Sequence, residues 1–133
     1  MQKPIACVVF DLNNLKKAND ALGHSVGDQL IANFARLLRN AIPASNFVGR
    51  YGGDEFMVVL KHLNDVETAM RKGKEICGAF RDYLGEEASP VPCSAGIALG
   101  GEELSAELIE HTDQALYRAK REKKGCCFLW DEQ

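Results

Sequence analysis

Two carboxylates follow a pair of glycines in Arg50-Tyr51-Gly52-Gly53-Asp54-Glu55-Phe56, and a third, Asp11, closes the apolar run from Ile5 to Phe10. Acids that converge on one point repel each other unless a cation sits among them, and hard oxygen donors suit Mg²⁺, which keeps waters and bridges to phosphates. Glycines hold no side chain against an approaching phosphate. A site of that kind can activate a hydroxyl and stabilise a leaving pyrophosphate, with nearby lysines neutralising phosphate charge. A plainer reading stands beside this one. Asp54 and Glu55 would keep a turn soluble, and Asp11 would begin a turn or cap a helix ahead of Asn13 and Asn14.

The elements that must position these residues are legible from periodicity. Ile5 to Phe10 is apolar throughout, as in a strand covered on both faces. Leu15, Ala18 and Leu22 recur at helical spacing over Asn14–Leu22, with Gly23 as the stop, and Lys16 and Asn19 share a flank of that helix. Ser25-Val26-Gly27-Asp28 has capping-box spacing and opens a longer helix whose stripe is Leu30, Ile31, Phe34, Leu37, Leu38 and Ile42. On local grounds capping outranks ligand binding for Asp28, and His24 reads as a surface or packing histidine. After Pro43-Ala44-Ser45-Asn46 comes a hairpin around Gly52-Gly53, expected to be a tight I′-type turn with positive φ, and Phe56, Val58 and Leu60 share one face of its half-buried second strand.

Asn64-Asp65-Val66-Glu67 starts a further helix with Val66, Ala69, Met70, Gly73, Ile76, Cys77, Phe80 and Leu84 on its apolar face and a solvated opposite face. Gly85 to Pro92 is a polar loop. Cys93 to Leu99 is a strand of small residues, the pattern expected where another backbone packs closely. Ser105 caps a last helix with Leu108, Ile109, Thr112, Ala115, Leu116 and Ala119 inward, and its cationic end, Arg118 to Lys124, complements the helix dipole before Gly125. Cys126 to Trp130 is the final strand. The order is β-α-α-β-β-α-β-α-β, an α+β, ferredoxin-like arrangement in which a central antiparallel sheet is covered by helices and Asp11 meets the glycine turn at one end.

Composition fits one compact domain over residues 1–133, with 46% hydrophobic and 26% charged residues. A net charge of −3 argues against a protein that coats nucleic-acid phosphates. No stretch has the apolar length of a membrane span, and the chain reads as cytoplasmic, without membrane contact of its own. Cys7, Cys77, Cys93, Cys126 and Cys127 lack Cys-x-x-Cys spacing and read as buried reduced thiols.

Gly52-Gly53-Asp54-Glu55-Phe56 with Arg50-Tyr51 before it resembles the signature of the GGDEF family of diguanylate cyclases. Phe10 to Asp20, Gly23-His24, Gly27-Asp28, Ser94-Ala95-Gly96 and Asp113 to Lys120 resemble the family's other motifs in the right order. The resemblance implies a fold similar to nucleotide cyclase and polymerase palm domains, and condensation of two GTP into cyclic di-GMP with release of two pyrophosphates. It implies that Asp11, the carbonyl of Leu12, Asp54 and Glu55 hold Mg²⁺, two ions per GTP with Mn²⁺ as a substitute, and that Asp54, Glu55 and Lys16 are catalytic. Asn19 and Asp28 match the positions that read guanine. Lys16, Lys120, Lys124, the amides of Asn14 and Leu15, and the Gly52-Gly53 turn would contact phosphates.

Each domain of the family binds one GTP, so the resemblance implies a homodimer of facing domains. Several positions depart from the family pattern. Asn13 stands for a common second acid, Leu15 for a common Phe, and Lys124 for an arginine whose bidentate grip it cannot reproduce. Pro43 and Asn46 occupy the ends of the Arg-x-x-Asp product-inhibition motif, so feedback inhibition is expected to be absent. The family's motif ahead of the first strand is missing, which reads as a catalytic domain excised from a longer signalling protein, its sensor or dimerisation domain elsewhere. The alternative from another class is a catalytically silent GTP-binding regulatory module.

Overall fold

The computed structural model describes residues 5–13, 24–44, 46–63, 65–84, 93–101, 103–122 and 127–130, with the backbone alone for 24–26. The helix expected over Asn14–Leu22, and with it Asn14, Leu15, Lys16 and Asn19, lies outside those residues. So do Lys124 and the Gly85–Pro92 loop.

Among the described residues five strands, β1 (Ile5–Leu12), β2 (Phe47–Arg50), β3 (Glu55–Leu60), β4 (Cys93–Gly100) and β5 (Cys127–Leu129), form one sheet in the order β2-β3-β1-β4-β5. β1 is central and antiparallel to both neighbours, β3 and β4, and β2 pairs antiparallel with β3. The edge strand departs from an all-antiparallel sheet: β5 runs parallel to β4, because the helix between them carries the chain back across the sheet.

Among the described residues three helices, α1 (His24–Ala41), α2 (Val66–Leu84) and α3 (Ala106–Glu122), cover both faces. On one face Phe34 and Leu38 of α1 and Ile76 and Phe80 of α2 pack on Val8, Phe10, Phe56, Val58 and Ile97. Phe34 is the hub, with ring centroids 5.5, 5.3 and 5.1 Å from those of Phe10, Phe56 and Phe80, so one aromatic side chain links both helices to two strands. On the other face Leu108 and Leu116 of α3 cover Cys7, Val9, Met57 and Val59. Every residue of β1 is therefore buried. β3 is buried on both faces as well after Glu55, where alternation alone suggests a half-exposed strand.

Cap chemistry holds at the starts of α2 and α3. Asp65 accepts from the Thr68 amide at 2.9 Å ahead of α2, and Ser105 Oγ from the Leu108 amide at 3.1 Å ahead of α3. The helix backbone of α1 already includes His24 and Ser25, so it begins ahead of the cap expected at Ser25. Asp28 is then the fifth helical residue, too deep to cap, and its side chain is exposed.

Gly96 sets the path of α3. A Cβ there would overlap the Leu116 amide and the Thr112 carbonyl, so only glycine lets the helix backbone lie this close to β4. Thr112, buried at that contact, donates its hydroxyl to the Leu108 carbonyl at 2.7 Å. At the far edge Trp130 closes the sheet: its amide donates to the Ile97 carbonyl at 2.7 Å, and its ring stacks on His111 of α3 with centroids 3.6 Å apart.

Candidate active site

Asp11 does not end its strand but lies within it, pairing in register with Glu55 of β3 on one side and Ser94 of β4 on the other, and it is 3% exposed. Glu55 opens β3 on the face that α3 covers. Asp54 is tied to the same corner through its backbone, whose carbonyl accepts from the Leu12 amide at 3.1 Å. The three carboxylates and Leu12 therefore meet at one end of the sheet.

The turn that delivers them differs from the two-residue hairpin expected. Residues 51–54 connect the strands, and neither Gly52 nor Gly53 adopts the positive φ of a I′ turn. The longer loop closes by other bonds: the Tyr51 and Gly52 amides donate to the Glu55 carbonyl at 2.8 and 3.3 Å, and Arg50 Nε reaches the Gly52 and Gly53 carbonyls at 3.2 and 3.1 Å. The glycines serve space instead. A Cβ on Gly52 would sit 3.2 Å from Glu55 Oε2, pressing on that carboxylate, while one on Gly53 would meet nothing within 4 Å, so the backbone is open to an approaching group.

Electrostatics mark the corner as one coupled site. Burial pushes the Asp11 carboxyl above the usual aspartate range, with nearby Asp54 adding to the rise and Lys120 opposing it. Glu55 is raised as well, first by burial and then by the Asp11 charge. In answer, α3 brings Lys120 across the sheet, and its ammonium forms an ion pair with Asp11 Oδ2. Sequence reasoning missed this pair, reading the cationic end of α3 through the helix dipole or as phosphate contacts. Asn13, at the position of the family's second acid, donates from Nδ2 to Ser94 Oγ at 2.9 Å. A second missed contact is Tyr51, whose hydroxyl donates to Asp113 Oδ2 on α3 at 3.2 Å.

The model of a known family, described as "Diguanylate cyclase, GGDEF domain", matches residues 1–126. The chain belongs to the GGDEF family. A diguanylate cyclase of Vibrio cholerae is 32% identical over 133 residues, 98% of this chain and 41% of that protein, and the diguanylate cyclase DgcS of Shewanella oneidensis is 33% identical over 94% of this chain and 42% of its own length. This GGDEF chain thus spans about two fifths of the length of those relatives. Among solved structures, the active GGEEF domain of a Vibrio cholerae diguanylate cyclase matches with TM-score 0.86 at 31% identity, over 98% of this chain and 85% of that one. The GGDEF domain of DgcB from Caulobacter crescentus, solved in complex with c-di-GMP, matches at 0.82 and 26% identity, over 95% and 77%.

The donor set of this GGDEF domain suits a divalent cation of the hard class, since a buried carboxylate beside two further acids now depends on a lysine for neutralisation. Among the described residues no three Asp, Glu, His or Cys side chains are grouped to hold an ion by themselves. Asp28 stands exposed on α1. Pro43 and Asn46 form a turn in which the Asn46 amide donates to the Pro43 carbonyl at 3.0 Å, and Asn46 Oδ1 accepts from the Lys61 amide at 2.8 Å. No helix among the described residues is long and apolar enough to cross a membrane.

Proposed function

We propose that this GGDEF domain condenses two GTP molecules into cyclic di-GMP, working as one half of a pair of facing domains. The observation that carries the reading is the meeting of Asp11, Asp54 and Glu55 beside Lys120 at an open glycine turn. In each step a 3′-oxygen of one GTP bonds to the α-phosphorus of the other, the bond from that phosphorus to the bridging oxygen breaks, and pyrophosphate leaves.

Asp11, Asp54, Glu55 and the Leu12 carbonyl would hold Mg²⁺, with Mn²⁺ as a substitute, and the metal would lower the pKa of the attacking hydroxyl and offset charge on the leaving group. Glu55, whose carboxyl is raised by burial, is suited to take the hydroxyl proton. Lys120 would leave Asp11 for substrate phosphate once a cation neutralises that acid, joined by Lys16, Lys124 and the amides of Asn14 and Leu15. Asp28 would accept from the guanine N1 and N2 donors and Asn19 would bond the same base edge, which favours GTP over ATP. With Pro43 and Asn46 in place of Arg and Asp, product would not inhibit through that site.

The test is incubation of the concentrated chain with GTP and Mg²⁺ across a dilution series, with products identified by mass spectrometry and Asp54→Ala as control. Cyclic di-GMP should rise faster than linearly with protein and vanish in the variant. A chain that binds GTP yet stays silent even when paired through a fused coiled coil would overturn the cyclase reading and leave a regulatory module.

A further inference from the structure

The residue ahead of the glycine pair has no role in the chemistry above, yet it makes the contact that joins the turn to α3. Tyr51 is 42% exposed, so burial does little to hold its ring. What fixes it is its hydroxyl, which donates to Asp113 Oδ2 at 3.2 Å across 62 positions of sequence. Asp113 and Lys120 are seven residues, or two helical turns, apart and lie on the same stripe of α3. The helix therefore grips the carboxylate corner at two heights: Lys120 on Asp11, and Asp113 on the turn through Tyr51.

The rest of the turn's bonding is local to the hairpin and β1. Arg50 caps the Gly52 and Gly53 carbonyls, the Tyr51 and Gly52 amides bond the Glu55 carbonyl, and Leu12 bonds Asp54. Those bonds fix the shape of the loop and tie its base to the sheet, and the Tyr51 hydroxyl ties its tip to α3. Asp113 also adds a negative charge near Glu55, and the Tyr51 hydroxyl bonds it on the side facing the turn.

We infer that Tyr51 is a positioning residue: through Asp113 it holds the signature turn at the separation from α3 at which Asp54 and Glu55 face Asp11 and Lys120. Its catalytic consequence rests on the cyclase reading, whereas the anchor itself does not. Misplacing reacting groups by about 1 Å costs rate far more than affinity.

The test combines Tyr51→Phe, Asp113→Ala and the double variant with Asp113→Asn, whose amide oxygen still accepts the phenol. Tyr51→Phe and Asp113→Ala should each lower kcat by about tenfold while KM for GTP moves by less than about twofold, and the double variant should be no worse than the poorer single one. Asp113→Asn should restore most of the rate. Exchange of the Tyr51 and Gly52 amides, followed by hydrogen–deuterium exchange, should quicken equally in both single variants and no further in the double, with melting temperature little changed. Unchanged exchange in Tyr51→Phe, or additive losses, would overturn the anchor. Wild-type protein that makes no cyclic di-GMP even when paired through a fused coiled coil, while the exchange pattern holds, would sink the cyclase reading and leave the anchor standing.

Discussion

The Lys120 ammonium rests on Asp11, a carboxylate buried in the middle strand of the sheet, and is itself only partly covered, with its side chain 43% exposed. Such a pair offsets an acid that would otherwise be buried without a partner, and it can be broken from the solvent side.

Removing the lysine should therefore destabilise the metal-free domain. Lys120→Met is expected to cost roughly 1–2 kcal/mol, below the value for a fully buried pair because half of this one is screened. Saturating Mg²⁺ should raise the melting temperature of both proteins, and by more in Lys120→Met. Equal gains would mean that the metal does not displace Lys120 from Asp11. Chelator should reverse the shift.

The acids themselves make stability depend on pH. Asp11 and Glu55 are both raised in the fold, so the native state binds their protons more tightly than the unfolded chain, whose values lie near 3.8 and 4.5. Their contribution is fully present below those values and is lost as pH rises through the raised folded ones. In chelator, the melting temperature of wild type relative to Glu55→Gln should fall as pH climbs from about 4 toward neutrality. A difference between the two proteins that is constant with pH would refute this.

Asp28 separates a structural from a binding role cleanly. It lies exposed at the fifth position of α1, beyond the positions that cap a helix. Asp28→Ala should leave the melting temperature unchanged and weaken GTP about tenfold, the size of a lost charge-assisted hydrogen-bond pair. Calorimetric titration beside a thermal melt decides the matter. A lower melting point with intact affinity would return Asp28 to capping.

Gly96 has the least room for change. Gly96→Ala would drive a methyl into the α3 backbone, which cannot move as a flexible side chain would, at a cost of about 3 kcal/mol or more. Urea unfolding should show the loss, and activity should fall with it, since displacing α3 moves Lys120 from Asp11.

Much of this was legible in the chain because local pattern and tertiary role agree. The run Ile5–Phe10 reads as a doubly covered strand and is one, and the small residues of Cys93–Leu99 announce a close neighbour that proves to be α3. The family's motif residues led to the carboxylate corner itself. Reading failed where a residue's partner is set by the path of a distant element. Asp11 looks like a strand exit until Glu55 and Ser94 flank it. Lys120 and Asp113 find their partners only because Gly96 lets α3 lie where it does, and no window of sequence around either residue carries that information. The glycine pair misled for another reason: Gly-Gly suits a two-residue turn, but Arg50 closes a four-residue one in which neither glycine takes a positive φ and a Cβ at position 52 would press on the flexible end of Glu55.

Trp130, the chain's single tryptophan, lies flat on His111 and donates from Nε1 to Gln114 at 3.0 Å, two turns or fewer from the residues of α3 that reach the acids. The domain thus carries its own optical label. The emission of one indole, free of any competing one, reports whether the last strand is seated on α3, so loosening of the helix that holds Tyr51 and Asp11 can be watched in unlabelled protein as nucleotide is added.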